Sequence, residues 1–332
     1  LRIGIAGYGR IVELMHNSLI RKVEGLELTA IYDVTEERRK HAEARGLQTY
    51  SNLDLFLSDA LIDVVLIAAP TQYHYSIALK ALQYGKHLII EKPVAMNAQE
   101  AIEIQKKAIE MNRVVTLFHN RRFDPDFQFV QSILKSSEIG KVLFLERSHH
   151  MDGAGVEFGI QSYNPKWRIM DIKGGGVLLD WGVHLIDQLQ QLNLGSVVSF
   201  TGSSYKMGWH QGDADDYVNS TIAFENGLLA TIEIHSLSNV DKPSWTIVGE
   251  RGSVVVYKDK AFVNVRGATS EMREIPRLSR FASEVIYTSF LLEIEGKGKC
   301  IVTLDEAIKT MHWIDQIRKN EVLMGEVSKW RV

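Results

Sequence analysis

The stretch LRIGIAGYGRIV, Leu1–Val12, decides how the first half of the chain is read. Leu1–Gly7 is an apolar run of strand character, and Ile11–Lys22 reads as the helix that follows. Between them, Gly7-Tyr8-Gly9 lets the backbone turn tightly and approach a pyrophosphate, which would rest at the helix N-terminus. The full fingerprint has a third Gly or Ala, and here Val12 occupies that place. A glycine pair alone is weak evidence. Its setting, with a strand before and a helix after at the start of a βαβ unit, is what gives it weight. Asp33 ends the next apolar run, LELTAIYD, 24 residues after Gly9. A carboxylate there accepts from ribose hydroxyls and favours NAD over NADP, because it repels a 2′-phosphate. Arg38 and Arg39 nearby soften that preference, and a loop aspartate capping the next helix is the plainer reading of Asp33.

Outward from this start, strands and helices alternate. Thr35–Arg45 reads as a charged helix, and DVVLIAAP (63–70) is a near-continuous apolar run, as expected of a strand covered on both faces. Tyr73–Tyr84 is helical, HLIIE (87–91) is a strand, and RVVTLFH (113–119) is another. Asn97 with Glu100 three residues on resembles a capping box opening a helix with an apolar face at Ala101, Ile104 and Ala108. The alternation predicts a doubly wound parallel sheet, a Rossmann-type α/β domain over residues 1–122. Beyond about residue 123 strands follow one another with few helices between them. Asn226-Gly227 joins two alternating runs as a hairpin, and Glu250–Gly252 is a second tight turn. A second, α+β domain with an open, mostly antiparallel sheet is expected over 123–332, with a late helix at Asp305–Asn320.

The bulk numbers agree with two soluble domains. The chain has 332 residues, 45% hydrophobic and 24% charged, with a net charge of −3. No long basic run supports binding to nucleic acid or to a membrane surface. No stretch approaches the roughly 20 apolar residues of a membrane span. No secretory signal is visible, and the single Cys300 has no partner for an internal disulfide, so a cytoplasmic setting is expected.

Three motifs fall where strand ends would line a ligand crevice. APTQYH (69–74) offers Pro70 and Thr71 to shape a loop and His74 at a helix start; a capping Thr and a surface His are the alternative. EKP (91–93) presents Lys92, which suits proton transfer or a bond to a substrate hydroxyl. A lysine merely paired with Glu91 reads equally well. Pro93 restricts the backbone of Lys92, and the Lys92–Pro93 bond is a candidate for the cis form. GGGVLLDWGVHLID (174–187) places Asp180 and His184 four apart on one helical face, with Asp187 a further turn on. A histidine beside an aspartate suits general-base work, although a core histidine near a helix-terminal acid is the plainer reading. His149 and His150 with Asp152 suggest no metal site, since neighbouring strand residues face opposite ways. No hydrolase motif is present.

Taken in order, GIAGYGRI, Asp33, APTQYH, EKP, NRRFDP (120–125), GKV (140–142), Trp167-Arg168 and the glycine-led motif at 174–187 resemble the Gfo/Idh/MocA oxidoreductases, the family of glucose–fructose oxidoreductase and inositol 2-dehydrogenase. The resemblance covers nearly the whole chain; the EKP and D-x-x-x-H elements are its specific part. It implies a Rossmann domain followed by a substrate and oligomerisation domain whose sheet commonly builds a homodimer or homotetramer. It implies nicotinamide-dependent oxidation of a secondary hydroxyl on a sugar, polyol or cyclitol. The implied catalytic set is Lys92, Asp180 and His184, with His184 taking the hydroxyl proton and Lys92 stabilising or relaying it. The implied cofactor contacts are Gly7, Tyr8, Gly9, Arg10, Ile11, Asp33, Pro70, Thr71, His74, Glu91, Lys92 and Pro93. Arg122, Trp167 and Arg168 join the catalytic set as substrate contacts, and no metal is implied. Two rival readings use the same fold: a nicotinamide-binding regulator without turnover, and a glycoside-cleaving enzyme that recycles NAD within each cycle.

Overall fold

A computed structural model describes residues 1–153, 165–276, 282–319 and 322–323. The first sheet contains β1 (Arg2–Ala6), β2 (Glu27–Tyr32), β3 (Gln48–Tyr50), β4 (Val64–Ile67), β5 (His87–Ile90) and β6 (Val115–Leu117). All pairs are parallel, in the order β3-β2-β1-β4-β5-β6. The order reverses between β1 and β4, so their C-terminal ends part there and open a crevice. Leu88, Ile89 and Ile90 of β5 are fully buried. Burial of each such side chain favours the fold by about 1.5–3 kcal/mol and drives this strand into the sheet centre.

The intervening helices are α1 (Asn17–Lys22), α2 (Glu36–Glu43), α3 (Leu53–Ser58), α4 (His74–Gln83) and α5 (Ala98–Glu110). The expected first helix begins with a π turn, Val12–His16, before α1. The Asn97 side chain accepts from the Glu100 N–H at 2.9 Å, as its N-cap position requires. Glu100 returns to the Met96 N–H rather than to that of Asn97, one residue short of a true capping box. The Lys92–Pro93 peptide is cis.

After α6 (Pro125–Ser136) come β7 (Val142–His150), α7 (Val183–Gln191), β8 (Val197–Lys206), β9 (Tyr217–Phe224), β10 (Leu229–His235), β11 (Trp245–Gly249), β12 (Gly252–Val256), β13 (Lys260–Val265) and β14 (Glu271–Glu274). They are followed by α8 (Glu284–Ile294), α9 (Leu304–Arg318) and β15 (Val322–Leu323). The described strands of this part form one sheet, β14-β13-β12-β11-β7-β10-β9-β8-β15. It is antiparallel except where β7 meets β10 and β8 meets β15. The hairpin at Asn226-Gly227 forms as expected, with Gly227 at φ +84°. Buried and half-exposed residues alternate strictly along β9, so one sheet face packs inward.

The last helices return to the first sheet. α9 packs on α5 and α7, and α8 packs on α1 and β6. Thr116 Oγ1 donates to the Val302 carbonyl at 2.8 Å, and the Ala98 N–H donates to Asp315 at 2.9 Å. Residues far beyond position 122 thus complete the core around the first sheet. The expected helix end at Asn320 lies outside the described residues. No helix among the described residues is long and apolar enough to cross a membrane.

Candidate active site

The crevice between β1 and β4 is shaped by Gly7. Its φ is +97°, and a Cβ there would lie 2.8 Å from the Ala68–Ala69 backbone. Only glycine fits, and the chain leaves the strand close to its neighbour. Val12 is fully buried in the π turn that follows. Tyr8 is also buried, its hydroxyl accepting from Asn17 at 3.1 Å and Arg45 at 2.9 Å. Its N–H donates to Asp33 Oδ2 at 2.8 Å. Asp33 Oδ1 accepts from the Thr35 N–H at 2.8 Å, so the carboxylate caps the approach to α2 as well as facing the glycine turn. Arg38 approaches the same carboxylate at 3.5 Å, and Arg39 donates to the Asp33 carbonyl at 2.8 Å. A glycine-only cradle with a fixed carboxylate at the end of β2 fits a dinucleotide.

The EKP segment divides its side chains between crevice and core. Glu91 turns inward, where Oε1 meets His16 Nε2 at 2.8 Å and Oε2 accepts the Lys92 N–H at 3.0 Å. It is 6% exposed, and the Lys92 ammonium bonds to Asp180 instead. His74, expected at the cofactor, is likewise buried. Its ring nitrogens sit 2.8 Å from the carbonyls of Ala69 and Pro93 and tie the two crevice loops together. Thr71 is buried beside them, while Pro70 is half-buried.

Lys92 turns outward to the second domain. Its Nζ lies 2.7 Å from Asp180 Oδ1 and 2.7 Å from the Asp180 carbonyl oxygen. The other carboxylate oxygen, Oδ2, meets Arg168 at 2.7 Å. Burial opposes the Asp180 charge, but Arg168 and Lys92 outweigh it and hold the carboxyl well below the usual range. Asp180 lies in a π turn, Leu178–Gly182, that runs directly into α7. The simple four-residue spacing to His184 is therefore not that of a regular helix. His184, at the start of α7, is 4% exposed. Burial, with the nearby charges of Lys92 and Arg121, lowers its pKa well below the ordinary value, so the ring is neutral. Among the described residues its Nδ1 has no hydrogen-bond partner.

The three glycines before this turn are set by close packing. A Cβ on Gly174 would lie 2.6 Å from Thr71 Cβ and 2.7 Å from Met96 Sδ, across the domain contact. One on Gly175 would lie 2.5 Å from the Arg168 carbonyl oxygen, and one on Gly176 would collide with the Asp215 carboxylate. Asp215 in turn accepts the Leu178 N–H at 2.8 Å and holds the start of the π turn.

Arg122 departs from its expected place. It is 6% exposed and donates to both Asp187 oxygens, at 2.9 and 2.6 Å, to Glu306 at 3.1 Å and to the Ile301 carbonyl at 3.0 Å. It joins α7 to α9 through Asp187 and Glu306. Its neighbour Arg121 lies 4.4 Å over Trp181, which also stacks on His149 at 3.7 Å. Trp167 carries the Arg168 guanidinium 4.7 Å above its ring. A pocket beside Asp180 is also lined by Met151, Trp181, His210 and Asp216. The sequence reading missed His210 and Asp216; the glycine- and aspartate-rich loop GWHQGDADD was the available signal. His149 and His150 do face different groups, Trp181 and Glu233. Among the described residues no cluster of His, Cys, Asp and Glu could hold a metal.

Comparison with known proteins accounts for both halves. Residues 1–119 match the model of an oxidoreductase family with an NAD-binding Rossmann fold, and 127–255 match the GFO/IDH/MocA C-terminal domain. The scyllo-inositol 2-dehydrogenase (NADP(+)) IolW of Bacillus subtilis (strain 168) is 23% identical over 257 residues, 77% of this chain and 69% of that protein. The D-glucoside 3-dehydrogenase of Escherichia coli (strain K12) is 28% identical over 249 residues, 71% of this chain and 67% of that one. The crystal structure of an NAD-binding protein from Listeria innocua superposes with a TM-score of 0.83 at 28% identity, covering 95% of this chain and 92% of that one. With both domain models matched in order and the EKP lysine bonded to the aspartate of the glycine-led motif, the chain belongs to the Gfo/Idh/MocA oxidoreductase family.

Proposed function

We propose that the protein interconverts a secondary hydroxyl and the corresponding ketone on a sugar, polyol or cyclitol, with a nicotinamide cofactor. The observation that carries this reading is the Lys92–Asp180 bond at the strand ends, with a neutral His184 beside it. The nicotinamide accepts or supplies the hydride, so the protein has to bind the substrate, move one proton and hold the charge that develops. Lys92 has three N–H donors, and two point to Asp180; the third is available to the substrate oxygen. His184, neutral and close to two cations, accepts the hydroxyl proton during oxidation. Asp180 aims Lys92 and Arg168 and offers an acceptor to a neighbouring substrate hydroxyl.

The names of the two relatives, an inositol and a glucoside dehydrogenase, support a polyhydroxylated ring as substrate. For the cofactor we favour NAD. A 2′-phosphate would approach the buried Asp33 carboxylate, which both backbone donors hold in place. Arg38, 3.5 Å away, is the group that would have to turn outward to admit NADP. The test is a screen of inositols, sugars, sugar acids and polyols with NAD and NADP in separate wells, following reduced nicotinamide. Reduction with at least one ring polyol, faster with NAD, is expected. If substrate disappears while no reduced nicotinamide accumulates, the internally recycled glycoside-cleaving reaction replaces this reading. Cofactor binding without any substrate loss would point to a regulator.

A further inference from the structure

Three buried polar side chains near the crevice, His16, Glu91 and Tyr287, form a chain that the proposed chemistry does not use. His16, at the end of the first π turn, and Tyr287, on α8, are both 0% exposed. Tyr287 Oη lies 2.6 Å from His16 Nδ1, and His16 Nε2 lies 2.8 Å from Glu91 Oε1. The second oxygen of Glu91 accepts the Lys92 N–H at 3.0 Å. Phe118 closes the surroundings, its ring centroid 4.5 Å from that of His16 and 6.0 Å from that of Tyr287.

The donor directions follow from the end of the chain. An ionised carboxylate only accepts, so His16 donates from Nε2 and the Lys92 backbone donates to the other oxygen. Burial raises Tyr287 well above its ordinary value, so its hydroxyl keeps a proton to give to Nδ1. Burial opposes the Glu91 charge, and the His16 and Lys92 contacts outweigh it and hold the carboxyl below its ordinary range. Every member of the chain is then satisfied: Tyr287 donates to His16, His16 donates to Glu91, and the Lys92 N–H donates to the other Glu91 oxygen. The elements joined are distant in sequence: His16 and Tyr287 are 271 positions apart. They are the turn that follows the glycine cradle, the strand that ends in EKP, and a helix that returns from the C-terminal part.

We propose that His16 and Tyr287 are positioning residues for Lys92: they hold the Glu91 carboxylate, which fixes the Lys92 backbone and so aims its ammonium at Asp180 and the reacting oxygen. The link to turnover rests on the dehydrogenase reading above; the link to Lys92 geometry does not.

The test compares His16→Leu, His16→Gln and Tyr287→Phe in the full chain with NAD bound. Glutamine keeps an N–H for Glu91; leucine does not. Two readouts are used: steady-state kinetics on a substrate from the screen, and the rate of Lys92 acylation by trace acetic anhydride, read by peptide mass spectrometry. In His16→Leu, kcat is expected to fall about tenfold with KM for NAD within about twofold of the parent. Lys92 labelling is expected to rise about threefold or more as the amine leaves Asp180, and His16→Gln to restore both values most of the way. A purely structural trio would lower the melting temperature but leave labelling at the parental rate in the folded protein. That result, with or without a change in kcat, overturns the proposal. If the parent turns over no hydroxyl compound, the functional reading has failed and labelling alone decides this one. Should His16→Leu not fold, Tyr287→Phe, which removes one buried oxygen, decides in the same two directions.

Discussion

Lys92 is bonded twice to Asp180, from Nζ to the carboxylate Oδ1 and from Nζ to the carbonyl oxygen of the same residue, each at 2.7 Å. The two residues are 88 positions apart, one just past the end of β5 and the other in the π turn before α7. A single side chain therefore spans the two domains at the point where their strand and helix ends converge. Because Arg168 takes the other carboxylate oxygen, Asp180 is a half-buried anion between two cations. Removing either cation would leave its charge poorly compensated.

Lys92→Met is expected to lower kcat about 10²–10⁴-fold, because it removes both the donor to the reacting oxygen and a charge beside it. His184→Ala should cost about 10²-fold or more through loss of the proton acceptor. Neither change touches the glycine cradle or Asp33, so NADH affinity by fluorescence titration should stay within about threefold of the parent. Turnover within a few-fold of the parent in both variants would remove these residues from the chemistry.

Gly174→Ala tests the contact between domains. At φ +74° the new Cβ would meet Thr71 and Met96 at 2.6 and 2.7 Å. Gly208 has nearly the same φ, +73°, with nothing within 4 Å. Alanine at 208 therefore carries only the backbone penalty, about 1 kcal/mol. At 174 the collision adds to it, for a total of about 2–4 kcal/mol. Urea unfolding of the two variants separates the terms; equal losses would mean that the Gly174 contact relaxes freely.

Arg122→Leu distinguishes a structural arginine from a ligand-binding one. It leaves Asp187, 2% exposed, without its two-bond partner and should destabilise the protein by about 3–5 kcal/mol. Arg122→Lys keeps the charge but not the paired geometry and should fall between. The KM for substrate of the folded fraction should not move. A raised KM at unchanged stability would return Arg122 to the cleft.

How much of this was legible in the sequence depends on what each inference required. Strand ends were readable from apolar runs, so Lys92 and Asp33 were placed at the crevice from position alone. Side-chain direction was not readable: Glu91, Lys92 and Pro93 are consecutive, yet one faces the core and the next the cleft. His74 and Arg122 carry the right chemistry in the right motifs, but His74 faces the carbonyls of Ala69 and Pro93, and Arg122 faces carboxylates on α7 and α9. Asp180 and His184 were linked by α-helical spacing, and the π turn at 178–182 changes that geometry without a sequence mark. The Tyr287–His16–Glu91 chain needs α8 to return to the first domain, and no local pattern encodes such a long-range contact.

The acid limb of stability should report His87. Burial, with the Arg113 charge adding to it, lowers this histidine to about 4. The neutral ring is also in use, since Nδ1 accepts the Val114 N–H at 3.0 Å where β5 meets β6. An unfolded chain titrates near 6.5. Between about pH 6.5 and 4 the unfolded state thus binds a proton that the folded state refuses, and stability falls as pH falls through that window. Below about 4 both states are protonated and this contribution has no further slope. The full shift overstates the effect for a partly exposed ring, so about 1 kcal/mol is expected to be lost between pH 7 and 5. His87→Asn keeps an oxygen acceptor near the Nδ1 position and cannot titrate. Urea unfolding at the two pH values should show a smaller loss in the variant by that amount, because the other histidines that burial lowers, His74, His119, His149, His184 and His235, remain in both proteins. Equal losses in parent and variant would assign the acid sensitivity to those other histidines instead.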